Sequence, residues 1–103
     1  MAESERNRVE QLGEMFRMLS EPNRLRIVLA CMERPRFVGE LAEALGASQS
    51  LVSHHLRLLR ATRLLRGERD GQHVRYHLDD GHVRAMLENM LEHQAEERGD
   101  RDD

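Results

Sequence analysis

The chain of 103 residues contains no lysine and no tryptophan; its sixteen basic residues are all arginine, and its only aromatic side chains are two phenylalanines and one tyrosine. So few rings exclude a stacking platform for single-stranded nucleic acid, which holds successive bases on aromatic faces. A single cysteine excludes an internal disulfide and fits a reducing cytoplasm, the expected location. No run approaches the roughly 20 apolar residues that a membrane span needs. The segment Met1-Ala2-Glu3-Ser4-Glu5 is acidic and lacks an apolar h-region, so no signal peptide is expected.

What is present points to one small domain. The apolar fraction of 39% supports a modest core and is too high for a disordered chain. At this size only roughly 60–70% of the unfolded surface is buried on folding, so a partner chain would help. The net charge of -3 argues at first against an anionic partner. It is an average over two regions: residues 24–76 carry a net +5 and the remainder a net -8. The basic middle is the candidate surface for a polyanion.

Helical spacing starts at Val9 and continues through Leu12, Phe16 and Leu19, with Met15 beside them. Residues 1–8 are polar and are expected to be a flexible arm. Pro22 ends that helix and suits the first turn of a second, capped by Ser20 or Glu21. Val38 to Leu45 predicts a short helix closed by Gly46, and Ser48 predicts the N-cap of the next, whose apolar positions are Leu51, Val52, Leu56, Leu58 and Leu59. Two strands, Leu64–Arg69 and Gln72–Leu78, flank Asp70-Gly71, a hairpin signal. Val83, Met86, Leu87, Met90 and Leu91 then form one apolar helical face. This order predicts a mainly α fold with a small β-hairpin wing: a winged helix-turn-helix with an extra helix at each end. The domain spans 9–97, with the helix-turn-helix at 38–63, the wing at 64–78, a dimer and metal helix at 79–97, and a disordered tail at 98–103.

The second helix of a helix-turn-helix enters the major groove with its N-terminal side chains on base edges. Those residues are Gln49, Ser50, Ser53, His54, His55 and Arg57, all able to donate or accept hydrogen bonds. Arg57, Arg60, Arg63, Arg66, Arg69 and Arg75 can meet phosphates, although Arg60 and Arg63 could equally snorkel along the core. A solvated polar face with scattered arginines is the plainer reading; the hairpin that follows the helix favours double-stranded DNA. Planar bidentate arginine suits phosphates and guanine edges, while a compositional bias of the genome would also remove lysine. Cys31 reads as a core thiol, the methionines as packing, and His73 and His77 as strand surface.

The last helix carries Asp80, His82, His93 and Glu96, a nitrogen and oxygen donor set of the kind zinc accepts. His82 and His93 share a face but lie about 16 Å apart along the axis at the helical rise. Zinc–nitrogen bonds are about 2 Å, so one metal cannot touch both within one helix. Two antiparallel copies of the helix would pair Asp80 and His82 of one chain with His93 and Glu96 of the other, twice around a two-fold axis. On spacing alone the bland reading stays open, with Asp80 as a helix cap and His93 and Glu96 as exposed charges.

The stretches Leu19 to Ile27, Val38 to Ala42, Ser48 to Leu56 and Gly71 to Tyr76 together resemble the ArsR/SmtB family of metal-sensing repressors, over about Phe16 to Glu97. The resemblance implies a homodimer, dimeric through its N- and C-terminal helices, whose Ser48-to-Leu56 helix reads DNA through Gln49, Ser50, Ser53 and His54. It implies a zinc site from Asp80 and His82 of one subunit and His93 and Glu96 of the other, with cobalt or cadmium as substitutes in vitro. Arg36-Phe37-Val38-Gly39 has no cysteine where the family's other site type has one, and residues 1–8 hold no His or Cys for a six-coordinate nickel or cobalt site. The reading is a zinc-responsive repressor released from an inverted-repeat operator by the metal; a metal-independent regulator responding to redox or a small ligand is the alternative. Four protein ligands leave no open position for water, so no enzyme and no small-molecule substrate are expected. No membrane partner is expected either.

Overall fold

A computed structural model describes the backbone of residues 2–102 and the side chains of residues 2–97, and among these described residues are five helices and three short strands. The elements are α1 (Glu3–Ser20), α2 (Pro22–Glu33), β1 (Arg36–Phe37), α3 (Val38–Leu45), α4 (Gln49–Ala61), β2 (Arg66–Asp70), β3 (His73–His77) and α5 (Gly81–Asp102). Among the described residues no helix is long and apolar enough to cross a membrane.

Both ends are more helical than expected. α1 starts at Glu3, so residues 3–8 are not an irregular arm; Glu3 and Glu5 in the first turn favour the positive end of the helix dipole. α5 continues through 98–102, where a disordered tail was expected, in a stretch of arginine, aspartate and one glycine.

Helix boundaries follow side-chain chemistry. Pro22 occupies the first turn of α2, and Glu21 rather than Ser20 caps it, its carboxylate accepting from the Arg24 N–H at 2.8 Å. Gly46 closes α3 at φ 64°, a left-handed conformation that suits glycine. Ser48 caps α4, its Oγ accepting from the Leu51 N–H at 3.1 Å. The core gathers Ile27, Val28 and Cys31 of α2, Leu41 of α3, Val52, Leu56 and Leu59 of α4, and Leu64, Leu65, Leu78, Val83 and Leu87.

The end of α4 is unusual. The Leu64 N–H bonds the Leu59 carbonyl at 2.9 Å and the Arg63 N–H bonds the Arg60 carbonyl at 3.0 Å, the paired bonds of a Schellman cap. Arg63 takes the left-handed position, at φ 62°, where glycine is usual. That conformation costs roughly 1–2 kcal/mol for a residue with a Cβ. Arg63→Gly is therefore expected to stabilise the fold by about 1 kcal/mol in urea unfolding. A lower midpoint in the variant would contradict this.

The sheet has the order β1-β3-β2, antiparallel throughout. β1 was not expected; two residues after Pro35 carry no period, and pairing with Tyr76 and Arg75 makes them a strand. The wing register pairs Asp70 with His73. The turn is thus Gly71-Gln72, one residue later than Asp70-Gly71, with Gly71 at φ 65°. Leu64 and Leu65, expected in the first wing strand, are instead buried in the core ahead of β2.

α5 is tied to the rest by Arg84. Its guanidinium donates to the Met32 carbonyl at 2.6 Å and the Leu78 carbonyl at 2.8 Å, joining α5 to the end of α2 and to the residue after β3.

Candidate nucleic-acid interface and metal half-sites

α3, the Gly46 turn and α4 form the helix-turn-helix, and β2-β3 form the wing. Gln49, Ser50, Ser53, His54 and Arg57 are all exposed on α4. Gln49 and Ser53 line a cleft with His73, Val74 and Tyr76 of the wing, so that flank of α4 faces the hairpin.

His55 departs from expectation. It is 7% exposed, with Nε2 3.8 Å from the Glu21 carboxylate and Nδ1 buried without a hydrogen-bond partner. Val52, His55, Leu56 and Leu59 follow the i, i+3, i+4, i+7 spacing of a buried stripe, so the signal was present in the sequence. Burial lowers the His55 pKa, against the pull of Glu21 and with the help of Arg24 and His54. Burial pushes the Glu21 carboxyl up, but N–H bonds from Arg24 and Asn23, with the charges of His55 and Arg24, leave it below the usual range. His55 thus seats α4 on the N-terminus of α2 and is withdrawn from any base edge.

The arginines divide by partner. Arg57 and Arg69 are exposed and have no acidic partner among the described residues. Arg75 bonds Asp70 at 2.5 Å and lies 5.2 Å over the Phe37 ring, so part of its charge is spent within the wing. Arg66 is bound to Asp79, which holds the Asp79 carboxyl below its usual range. Arg60 packs on Gly67, where a Cβ would stand 3.2 Å from the guanidinium carbon; this joins the end of α4 to the wing.

At the start of α5, Asp80 Oδ1 accepts from the His82 N–H at 2.8 Å and the Val83 N–H at 3.2 Å. These bonds hold the carboxyl below its usual range, and Asp80 is a helix cap as the bland reading had it. The cap does not remove it as a ligand. His82 is fully exposed with Nδ1 3.6 Å from Asp80 Oδ1, so two donors of the type zinc takes converge there. His93 and Glu96 are exposed one turn apart farther along the helix. Within one chain no three such residues come together among the described residues. The donor chemistry fits a metal, as two half-sites on one helix.

An apolar face lies alongside. Val9, Leu12 and Phe16 of α1 and Met90 and Leu91 of α5 are 43–57% exposed. Between the two helices runs a groove of about 210 Å³ lined by Leu12, Met15, Phe16, Leu19, Val83 and Met86, and also touched by Asp80 and His82.

A helix-turn-helix with a polar recognition face and an arginine-bearing wing defines a winged helix-turn-helix regulator. The family model for the bacterial regulatory protein, arsR family, matches residues 21–66. A transcriptional repressor SmtB homolog of Synechocystis is 38% identical over 90 residues, 87% of this chain and 68% of that protein. The HTH-type transcriptional regulator NmtR of Mycobacterium tuberculosis is 40% identical over 83 residues, 81% of this chain and 69% of that protein. A homodimeric winged helix-turn-helix DNA-binding domain from Mycobacterium bovis superposes with a TM-score of 0.84 at 20% identity, covering 98% of this chain and 93% of that one. The chain belongs to the ArsR family of bacterial regulatory proteins. Its relatives are transcriptional regulators, not enzymes.

Proposed function

We propose that this chain is a cytoplasmic zinc-responsive repressor: the metal-free homodimer holds an inverted-repeat operator, and zinc at the subunit interface releases it to derepress a metal efflux or storage gene. The observation that carries this is α5 itself, which bears Asp80 with His82 near one end, His93 with Glu96 farther along, and an uncovered apolar face. Two antiparallel copies cover that face and complete two four-donor sites.

Gln49, Ser50, Ser53 and His54 contact base edges from α4; Arg57, Arg69 and the uncommitted part of Arg75 meet phosphates. Asp80 and His82 of one protomer and the partner's His93 and Glu96 would hold the metal. Zinc held by these four protein donors would tether one protomer's α5 to the other's, with cobalt or cadmium as substitutes in vitro. Arg84 links α5 to α2 and to the wing, so a change in how the α5 helices meet re-aims the two α4 helices. Two α4 helices fit successive major grooves only when spaced about 34–36 Å apart. Coupling is reciprocal: DNA weakens zinc binding by the factor that zinc weakens DNA binding.

The redox alternative lacks chemistry. Cys31 is 2% exposed, and burial pushes its thiol up to about 12, with Arg36 opposing and Glu40 adding to the rise. The sequence has no second cysteine.

The DNA half of the reading is tested by Arg69→Ala. Affinity should fall at every duplex sequence, and the slope of log affinity against log salt should shrink by about 2, one phosphate contact being lost from each protomer of the dimer. Unchanged affinity and slope would remove the wing from the phosphates. A zinc titration of the protein–DNA complex tests the metal half.

A further inference from the structure

We propose that Leu51 reads a thymine C5-methyl group in each operator half-site, an inference that rests on the DNA-binding reading of α4. Six large apolar side chains are conspicuously exposed among the described residues. Five belong to α1 and α5, on the face proposed above as the dimer contact. Leu51 is the sixth, 42% exposed in the first turn of α4. Its sequence neighbours Gln49, Ser50, Ser53 and His54 are all polar. Leu51 is one of the apolar positions of the helix, yet it lies outside the core that Val52, Leu56 and Leu59 join.

Its position is held. Ser48 accepts the Leu51 N–H at 3.1 Å, so the turn that carries the side chain is capped. At about 100° per residue, Leu51 projects to one side of Ser50, while Gln49 and Ser53 project to the other, toward the wing. Leu51 is therefore on the flank of the reading face away from the hairpin. The side chain has no donor or acceptor. In the major groove every base presents donors or acceptors, and the one apolar mark is the thymine methyl. An exposed leucine at the tip of a helix aimed at base edges matches that mark and no other.

The test uses full-length protein and duplexes selected from a randomised pool by the metal-free wild type and by Leu51→Ala. Each selected thymine is then replaced by deoxyuridine, which removes only the methyl group. For the wild type, one thymine per half-site should be sensitive, with a loss of about fourfold for one half-site and about fifteenfold for both, the worth of one buried methyl in each. Leu51→Ala should bind the thymine and uracil duplexes equally and show no thymine preference at that position. The inference is overturned if Leu51→Ala keeps the wild-type loss, or if the wild type selects a sequence in which no thymine methyl matters. A wild type that selects no sequence at all overturns the DNA-binding reading and this inference with it.

Discussion

His93→Ala should fold, dimerise and bind operator DNA as the wild type does, and should lose its response to zinc. His93 is exposed on α5, outside the core cluster, so its removal leaves no cavity. It supplies one of the four donors proposed for each site. Loss of even a supporting group around a metal ligand costs 10–100-fold in affinity, so loss of the ligand itself is expected to cost more than about 100-fold. Allosteric couplings are typically about 5–150-fold, and the wild-type release should fall in that range. In the variant the ratio of affinities with and without zinc should be close to one. Fluorescence anisotropy of a labelled operator duplex measures both ratios. A variant that releases DNA at the same zinc concentration as the wild type would exclude His93 from the site.

Phe16→Glu should separate the dimer and with it the operator affinity. Phe16 is 50% exposed on α1 and lines the groove shared with α5, so a charge there costs the isolated chain little. In a two-fold interface the substitution appears twice and buries two carboxylates against apolar surface. A single reading unit loses the effective concentration that linkage gives its mate, a loss of about 100-fold or more in affinity for the inverted repeat. Weak, salt-dependent binding to any duplex should remain. The half-sites separate as well, so zinc affinity falls in parallel. Sedimentation velocity and the same anisotropy assay check this. A variant that stays dimeric, or one that becomes monomeric with undiminished operator affinity, contradicts the assignment of the α1–α5 face as the dimer contact.

The helices were legible because their signals are local. Pro22, Gly46 and Ser48 each act within one turn, and the apolar spacing of α1, α2 and α5 needs no knowledge of distant chain. β1 was not legible, because a two-residue strand exists only through its partner β3. The one-residue shift of the wing turn has a similar origin, since Asp70 gains a cross-strand partner in His73 and Gly71 takes the positive φ. Arg84 and Arg66 were missed or misread for a further reason. A guanidinium that bonds carbonyls 52 and 6 residues away leaves no periodic trace, and the Arg66–Asp79 pair bridges the wing to the approach of α5. His55 is the instructive error: its polarity suggested DNA, while its place in the Val52–Leu59 stripe marked it as interior. For the proposed half-sites, spacing along α5 offered the two pairs of donors as candidates and left the plainer reading open. That one chain cannot unite them follows from helical rise alone.

The measurement closest to the central claim is a titration of a labelled operator duplex with the dimer, in the absence of metal and then with zinc, at fixed salt. Tight binding by the metal-free protein, weakened about 5–150-fold by zinc, is the predicted result. The zinc affinity of the free dimer should exceed that of the DNA-bound dimer by the same factor. An operator affinity that zinc leaves unchanged, or raises, would contradict a zinc-released repressor.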